Sequence, residues 1–351
     1  MNLKVTLTKK CKMSKVKIIA EAGVNHNGSF SNIIQMIDIA SEAGADFIKF
    51  QTFKAKNLVS SFALKAEYQR KNTSENKHQY SMLKKLEIPE KWYGKIISHC
   101  LDKGIEFLSS VFDKESVDLL LKHGLTTFKI PSGEITNKPL LKYVAKKGQK
   151  IILSTGMCDI SEIKKALGVI YSEKFKSENI ILLHCNTEYP TKNSEVNLLA
   201  INHIKDEFKV PVGYSDHTLG NEAAIAAVAL GSQIIEKHFT LNRNSLGPDH
   251  KASLSPKELS VFILSIRNAT ECLSGDGIKK PTPSELKNKE VVRKSLFYKK
   301  KLSKGHILQE TDFISLRPEI GISPMEIDSL NNRILKVDVN KNQLTKFSDL
   351  K

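Results

Sequence analysis

The sequence predicts a closed parallel (β/α)8 barrel followed by a smaller C-terminal domain. Three observations carry this reading. Eight short β-rich apolar runs alternate with segments of helical period over the first about 250 residues, the usual size of such a barrel. Glycines stand just past the apolar stripes, where helices end. After Leu273 the texture changes, first to Gly, Pro, Ser and Lys, then to short strand-like runs. An open doubly wound sheet is the competing arrangement. It would usually carry a Gly-rich fingerprint in its first strand-to-helix turn, and Ala22-Gly23-Val24-Asn25-His26-Asn27-Gly28 is not GxGxxG.

The elements follow in order. Residues 1–15 form a basic tail, and Met13 is an alternative start. The strands are Val16–Ala20, Phe47–Phe50, Glu106–Leu108, Thr127–Ile130, Lys150–Leu153, Ile180–Leu183, Val210–Tyr214 and Gln233–Glu236. Between them, Ile33-Ile34, Ile37 and Ala40 make a stripe before Gly44. Val117 and Leu120-Leu121 repeat it before Gly124, and Leu140-Leu141 and Val144-Ala145 before Gly148. Asp159 or Ser161 caps the helix carrying Ile163 and Leu167. The polar segment Tyr68–Glu90 breaks the rhythm and reads as a lid or as an extra surface helix. The barrel thus spans 16–273. A linker follows at 274–290, with Pro281 and Pro283, and a small domain at 291–351.

Bulk properties exclude several classes. No apolar run reaches the length of a membrane span, and Met1–Lys15 has no apolar core of a secretory signal. The five cysteines are scattered and form no CxxC, which suits reduced thiols in the cytoplasm. The net charge of +16 raises nucleic acid as a partner. Yet the lysines lie along helix faces and no aromatics interleave with them, so a solvated surface or steering of a small anion is the better reading.

The chemistry gathers at the strand C-termini, where a parallel barrel opens its catalytic face. Ser215-Asp216-His217 and Glu236-Lys237-His238 end two consecutive runs. If these strands are neighbours, His217 and His238 converge as neutral imidazoles suited to a divalent metal. Lys49 and Lys129 end strands two and four, with hydroxyls at Ser110, Ser132, Ser154, Thr187 and Ser215. Ammonium, hydroxyl and backbone donors around one opening suit a phosphorylated, carboxylated anion. Glu21 and Glu134 face the same opening as base or hydrogen-bond anchor.

These same residues resemble a family. Ala20 through Gly28, Lys49-Phe50-Gln51-Thr52, Lys129 through Glu134, Leu153 through Met157, His184 through Pro190, Gly213 through Thr218 and Glu236 through Thr240 look like the bacterial sialic acid synthases. The tail from Val291, with Lys304-Gly305 and Arg317-Pro318, looks like their antifreeze-like (SAF) domain. The resemblance implies condensation of phosphoenolpyruvate with an open-chain N-acyl amino hexose, with release of phosphate by C–O cleavage. It implies manganese on His217 and His238, and a domain-swapped homodimer. It gives phosphoenolpyruvate to Lys49, Ser110, Lys129, Ser132, Ser154, Thr187 and Ser215, and the sugar to Gln51, Tyr189, Asp249 and the partner chain's Arg317. Glu134 becomes the base for water addition, and Glu21 orients the sugar or a water. Ser109-Ser110 departs from the family's Ser-Thr by a lost methyl only.

Glu21 through His26, Gly133 through Asn137 and Gly275 through Lys280 look most like synthases of N,N′-diacetyllegionaminic acid, which use 2,4-diacetamido-2,4,6-trideoxymannose. An N-acetylneuraminate synthase using N-acetylmannosamine is the alternative. A Schiff-base aldolase on Lys129 and a non-catalytic carbohydrate-binding protein are remoter ones.

Overall fold

The computed structural model describes residues 15–60, 62–65, 67–73 and 78–351. Cys11, Met13 and the remainder of the tail to residue 14 lie outside the described residues. The chain divides into two compact units, one running to Ser274 and the other Gly275–Lys351.

The first unit is the predicted barrel. Its strands are β1 (Lys17–Gly23), β2 (Phe47–Thr52), β3 (Glu106–Val111), β4 (Thr127–Ile130), β5 (Lys150–Ser154), β6 (Ile180–Cys185), β7 (Val212–Asp216) and β8 (Ile234–His238). All neighbours are parallel, and β1 pairs with β8 to close the ring. Eight helices pack outside: α1 (Phe30–Glu42), α2 (Tyr93–Asp102), α3 (Lys114–Lys122), α4 (Lys138–Lys147), α5 (Ile160–Ser172), α6 (Ala200–Phe208), α7 (Glu222–Ala229) and α8 (Pro256–Cys272).

Alternation along each strand builds two cores. Outward side chains such as Ile18, Ala20, Ile48, Phe128 and Leu182 meet the helix stripes. Inward ones, Ile19, Leu108, Ile152, Ile181, Leu183 and Ile234 with Phe47, plug the barrel. Several strands run further than their apolar runs suggest, and β2, β7 and β8 all end in polar residues.

Helix ends follow local chemistry. Asp159, not Ser161, caps α5, and Glu162 completes a capping box. Gly44 and Gly124 take positive φ past their helices. Gly148 does not; a Cβ there would stand 2.9 Å from the Phe128 ring, so close packing selects glycine. The insertion after β2 forms three short helices, Ala55–Leu58, Glu67–Asn72 and Gln79–Leu86. Leu86, Met82 and Leu83 pin it against Val24, Phe53 and Phe112 in a small apolar cluster.

The second unit holds its own core of Leu296, Tyr298, Leu302, Leu308, Leu330, Leu335 and Val339. β9 (Ser295–Tyr298) and β10 (Phe313–Leu316) pair antiparallel. The predicted linker is partly helical: α9 (Pro283–Val292) starts on a Thr282–Glu285 capping box with Pro283 in its first turn. None of its side chains is buried, so it offered no apolar stripe to read.

Candidate active site

Two residues beyond the apolar plug, every strand places a small, polar or charged side chain on the inner face. Ile19 gives way to Glu21, Phe47 to Lys49, Leu108 to Ser110, Ile152 to Ser154, Leu183 to Cys185 and Ile234 to Glu236. Lys129 and Ser215 complete the ring. They line a cavity of about 140 Å³ together with Gln51, Ser132, Thr187, Tyr189, His217 and His238. Gly213, one step below Ser215, keeps the barrel closed here; its Cβ would lie 2.5 Å from the Ile234 carbonyl oxygen.

Four buried charges organise the floor. Lys49 Nζ lies 3.0 Å from Glu21 Oε2 and 3.5 Å from Glu236 Oε2. Lys129 Nζ lies 3.6 Å from Glu236 Oε1. Lys49 donates to Ser110 Oγ (3.0 Å), Lys129 to Ser154 Oγ (2.7 Å), and Ser215 Oγ to Glu236 Oε1 (2.9 Å). Burial pushes Glu21 up to about 7, against the pull of the Lys49 ammonium. Burial also opposes the charge on Glu236, yet Lys129 and Lys49 more than offset it and hold Glu236 down at about 2. Burial works against the Lys49 ammonium too, but Glu21 and Glu236 win and hold its pKa above the usual value. For Lys129 burial wins, and its pKa falls. Glu236 is thus the ionised hub of the floor. The sequence reading placed it at a strand end but gave it no role. Its signal was the shared inner face with His238, two residues on.

The two imidazoles meet above this floor, their ring centroids 5.5 Å apart. The Tyr189 ring lies 4.2 Å from that of His217, centre to centre. His217 Nδ1 donates to the Asn186 carbonyl, which leaves Nε2 with its lone pair. His238 Nδ1 is buried without a hydrogen-bond partner. Burial lowers the pKa of His217 to about 4. That of His238 falls well below the ordinary value, through burial and then the neighbouring His217. Neutral rings with an orphaned buried nitrogen fit a divalent cation. Among the described residues no group of three or more His, Cys, Asp or Glu could hold a metal, so such a cation would have these two protein ligands.

Three expected site residues lie elsewhere. Glu134 does not line the cavity. It sits half-buried on the turn after Pro131, its Oε2 accepting from Asn137 Nδ2 (2.7 Å). Burial raises its pKa. Asp249 is buried in the loop after β8 and does not line the cavity; its backbone carbonyl accepts from Ala252 N and Ser253 Oγ. Burial lifts its carboxyl to about 6, with Lys49 opposing. Arg317 belongs to the second unit and is exposed, just past β10 and before the cis Pro318.

The chain matches the NeuB family over residues 36–279 and the SAF domain over residues 293–351. It belongs to the NeuB family. It is 51% identical to the N,N′-diacetyllegionaminic acid synthase of Campylobacter jejuni, over 95% of this chain and 99% of that one. The synthase of the same name from Legionella pneumophila is 45% identical, over 89% and 88%. A pseudaminic acid synthase of Campylobacter jejuni is more distant at 32%. Among solved structures, the N-acetylneuraminic acid synthetase of Leptospira borgpetersenii superposes with a TM-score of 0.67 at 34% identity, over 78% of this chain and 90% of that one. As a NeuB family synthase carrying a SAF domain, the chain is an enzyme, and the resemblance read from its motifs is borne out. No helix among the described residues is long and apolar enough to cross a membrane.

Proposed function

We propose that this chain condenses phosphoenolpyruvate with open-chain 2,4-diacetamido-2,4,6-trideoxymannose and water, giving N,N′-diacetyllegionaminic acid and phosphate. The observation that carries the reading is the single cavity in which Lys49, Lys129 and a ring of hydroxyls share one rim with two neutral imidazoles. The names borne by the relatives at 51% and 45% identity support the sugar.

Lys49 and Lys129 neutralise the phosphate and carboxylate, and Ser110, Ser132, Ser154, Thr187 and Ser215 donate to their oxygens. His217 and His238 would hold a divalent metal, manganese in this family, which when bound supplies a Lewis acid toward the sugar aldehyde. Gln51 and Tyr189 face the sugar. The enol carbon attacks the aldehyde carbon, and positive charge builds at the phosphate-bearing carbon. Water adds there while Glu134, on the turn directly after the lining residues Ser132 and Gly133, takes its proton at the cavity rim, a task suited to a carboxyl whose pKa burial has raised. The tetrahedral species collapses by breaking its C–O bond to phosphate. Glu21 orients the sugar or the water. The enzyme works in the cytoplasm as a homodimer in which the second unit brings Arg317 to the partner's sugar.

A phosphate-release assay tests this, run with phosphoenolpyruvate and each sugar, with and without Mn²⁺. Release with the diacetamido sugar and loss on chelation are expected. Release with N-acetylmannosamine alone would replace the sugar, and no release with either would sink the synthase.

A further inference from the structure

His217 and His238 arise from adjacent strands, and behind them lies a second polar cluster on the outer face of the barrel. Asp216 and Lys237 are register partners on β7 and β8, and their side chains leave the barrel where those of Ser215 and Glu236 enter it. Both are buried, at 1% exposure each. Lys237 Nζ donates to Asp216 Oδ2 (2.7 Å) and to the Thr218 carbonyl (2.6 Å), and stands 5.6 Å over the Phe262 ring of α8. Asp216 Oδ1 accepts from Thr218 N (2.9 Å), Thr218 Oγ1 (2.8 Å) and Tyr214 OH (3.3 Å). Thr218 is therefore held at its amide by one partner and at its carbonyl by the other.

His217 sits between Asp216 and Thr218 in the chain, and His238 follows Lys237. The ion pair thus ties the backbone of one imidazole to the backbone of the other. Neither residue lines the cavity. Stability accounts for the pair poorly, since replacing both members of a buried ion pair by neutral groups is often harmless.

We propose that Asp216 and Lys237 are positioning residues for the two candidate metal ligands, fixing the separation of the His217 and His238 backbones. The inference rests on the metal reading of those histidines. It makes the pair a support of the kind whose loss weakens metal binding without loss of fold.

The test is Mn²⁺ binding by metal-free protein, followed through the electron paramagnetic resonance signal of free Mn²⁺, with the folded fraction checked by circular dichroism. The variant is D216N/K237M, which removes both charges at nearly constant volume. K237M alone is the second variant, since Asp216 keeps its hydrogen bonds from Thr218 N, Thr218 Oγ1 and Tyr214 OH while the tie to β8 is lost. The double variant should bind Mn²⁺ about 10-fold or more weakly while folded, and K237M should also bind it more weakly than wild type. Wild-type affinity in either folded variant overturns the proposal. So does an affinity that falls only in step with the folded fraction. A wild-type chain that binds no Mn²⁺ sinks the metal reading and this inference together; unchanged binding in the variants sinks this inference alone.

Discussion

Glu134 and Glu236 differ at the residue scale, and their amide variants should differ with them. Glu134 is half-buried, outside the cavity wall, with a raised pKa. A base acts only as the reaction proceeds. Glu134→Gln should therefore lower kcat about 10²-fold or more with KM little changed, as read by steady-state phosphate release. Equal losses in kcat and in affinity would count against the base. Glu236 is ionised and set between two lysines. Burial already pushes Lys129 down, and Glu236 is the chief group holding it up. A lysine binds anions only below its pKa. Glu236→Gln should lower that pKa further, so KM for phosphoenolpyruvate should begin to rise at a lower pH than in wild type. An unchanged alkaline limb in the pH profile of KM would mean that Glu236 does not control the lysine.

At the scale of elements, the barrel wall is packed on its inner face as tightly as on its outer. Gly213 on β7 faces the Ile234 carbonyl oxygen and Leu183 Cδ2, which a Cβ would approach to 2.5 and 2.7 Å. The first of these is backbone in the neighbouring strand and cannot rotate away. Gly213→Ala should therefore destabilise the barrel by about 1–3 kcal/mol, measured as a lower urea midpoint. A midpoint equal to wild type would show that the strands can part there. The strands themselves were legible in the sequence because their outer and inner faces both bury apolar residues, giving continuous runs. Their last residues were less so. Asp216, Lys237 and Glu236 read as polar punctuation, yet each is buried and paired within the wall or the floor. Pairing across strands cannot be read from one strand. Lys49 and Lys129 were legible for the opposite reason: a lysine inside an apolar run needs a partner. Helix α9 escaped notice because none of its faces is buried. The insertion was legible as a lid or an extra surface helix, but its anchoring was not, because Met82, Leu83 and Leu86 meet Val24 and Phe53 from distant sequence.

The whole molecule joins a barrel that holds Lys129 in its cavity to a second unit that holds Arg317. Each unit has a core of its own, so a defect in one need not unfold the other. This permits a complementation experiment on the proposed swapped dimer. Lys129→Ala removes a donor from the barrel, and Arg317→Ala removes the arginine of the second unit. Each homodimer should be nearly inactive. In a swapped mixed dimer, the intact barrel of the Arg317→Ala chain meets the intact second unit of the Lys129→Ala chain, and one of two sites is whole. Equal amounts unfolded together and refolded at random give about half mixed dimers, and so about a quarter of wild-type activity. In an unswapped dimer every site keeps its own defect, and mixing restores nothing. Phosphate release from the refolded mixture, set against each variant refolded alone, distinguishes the two arrangements without any further structure.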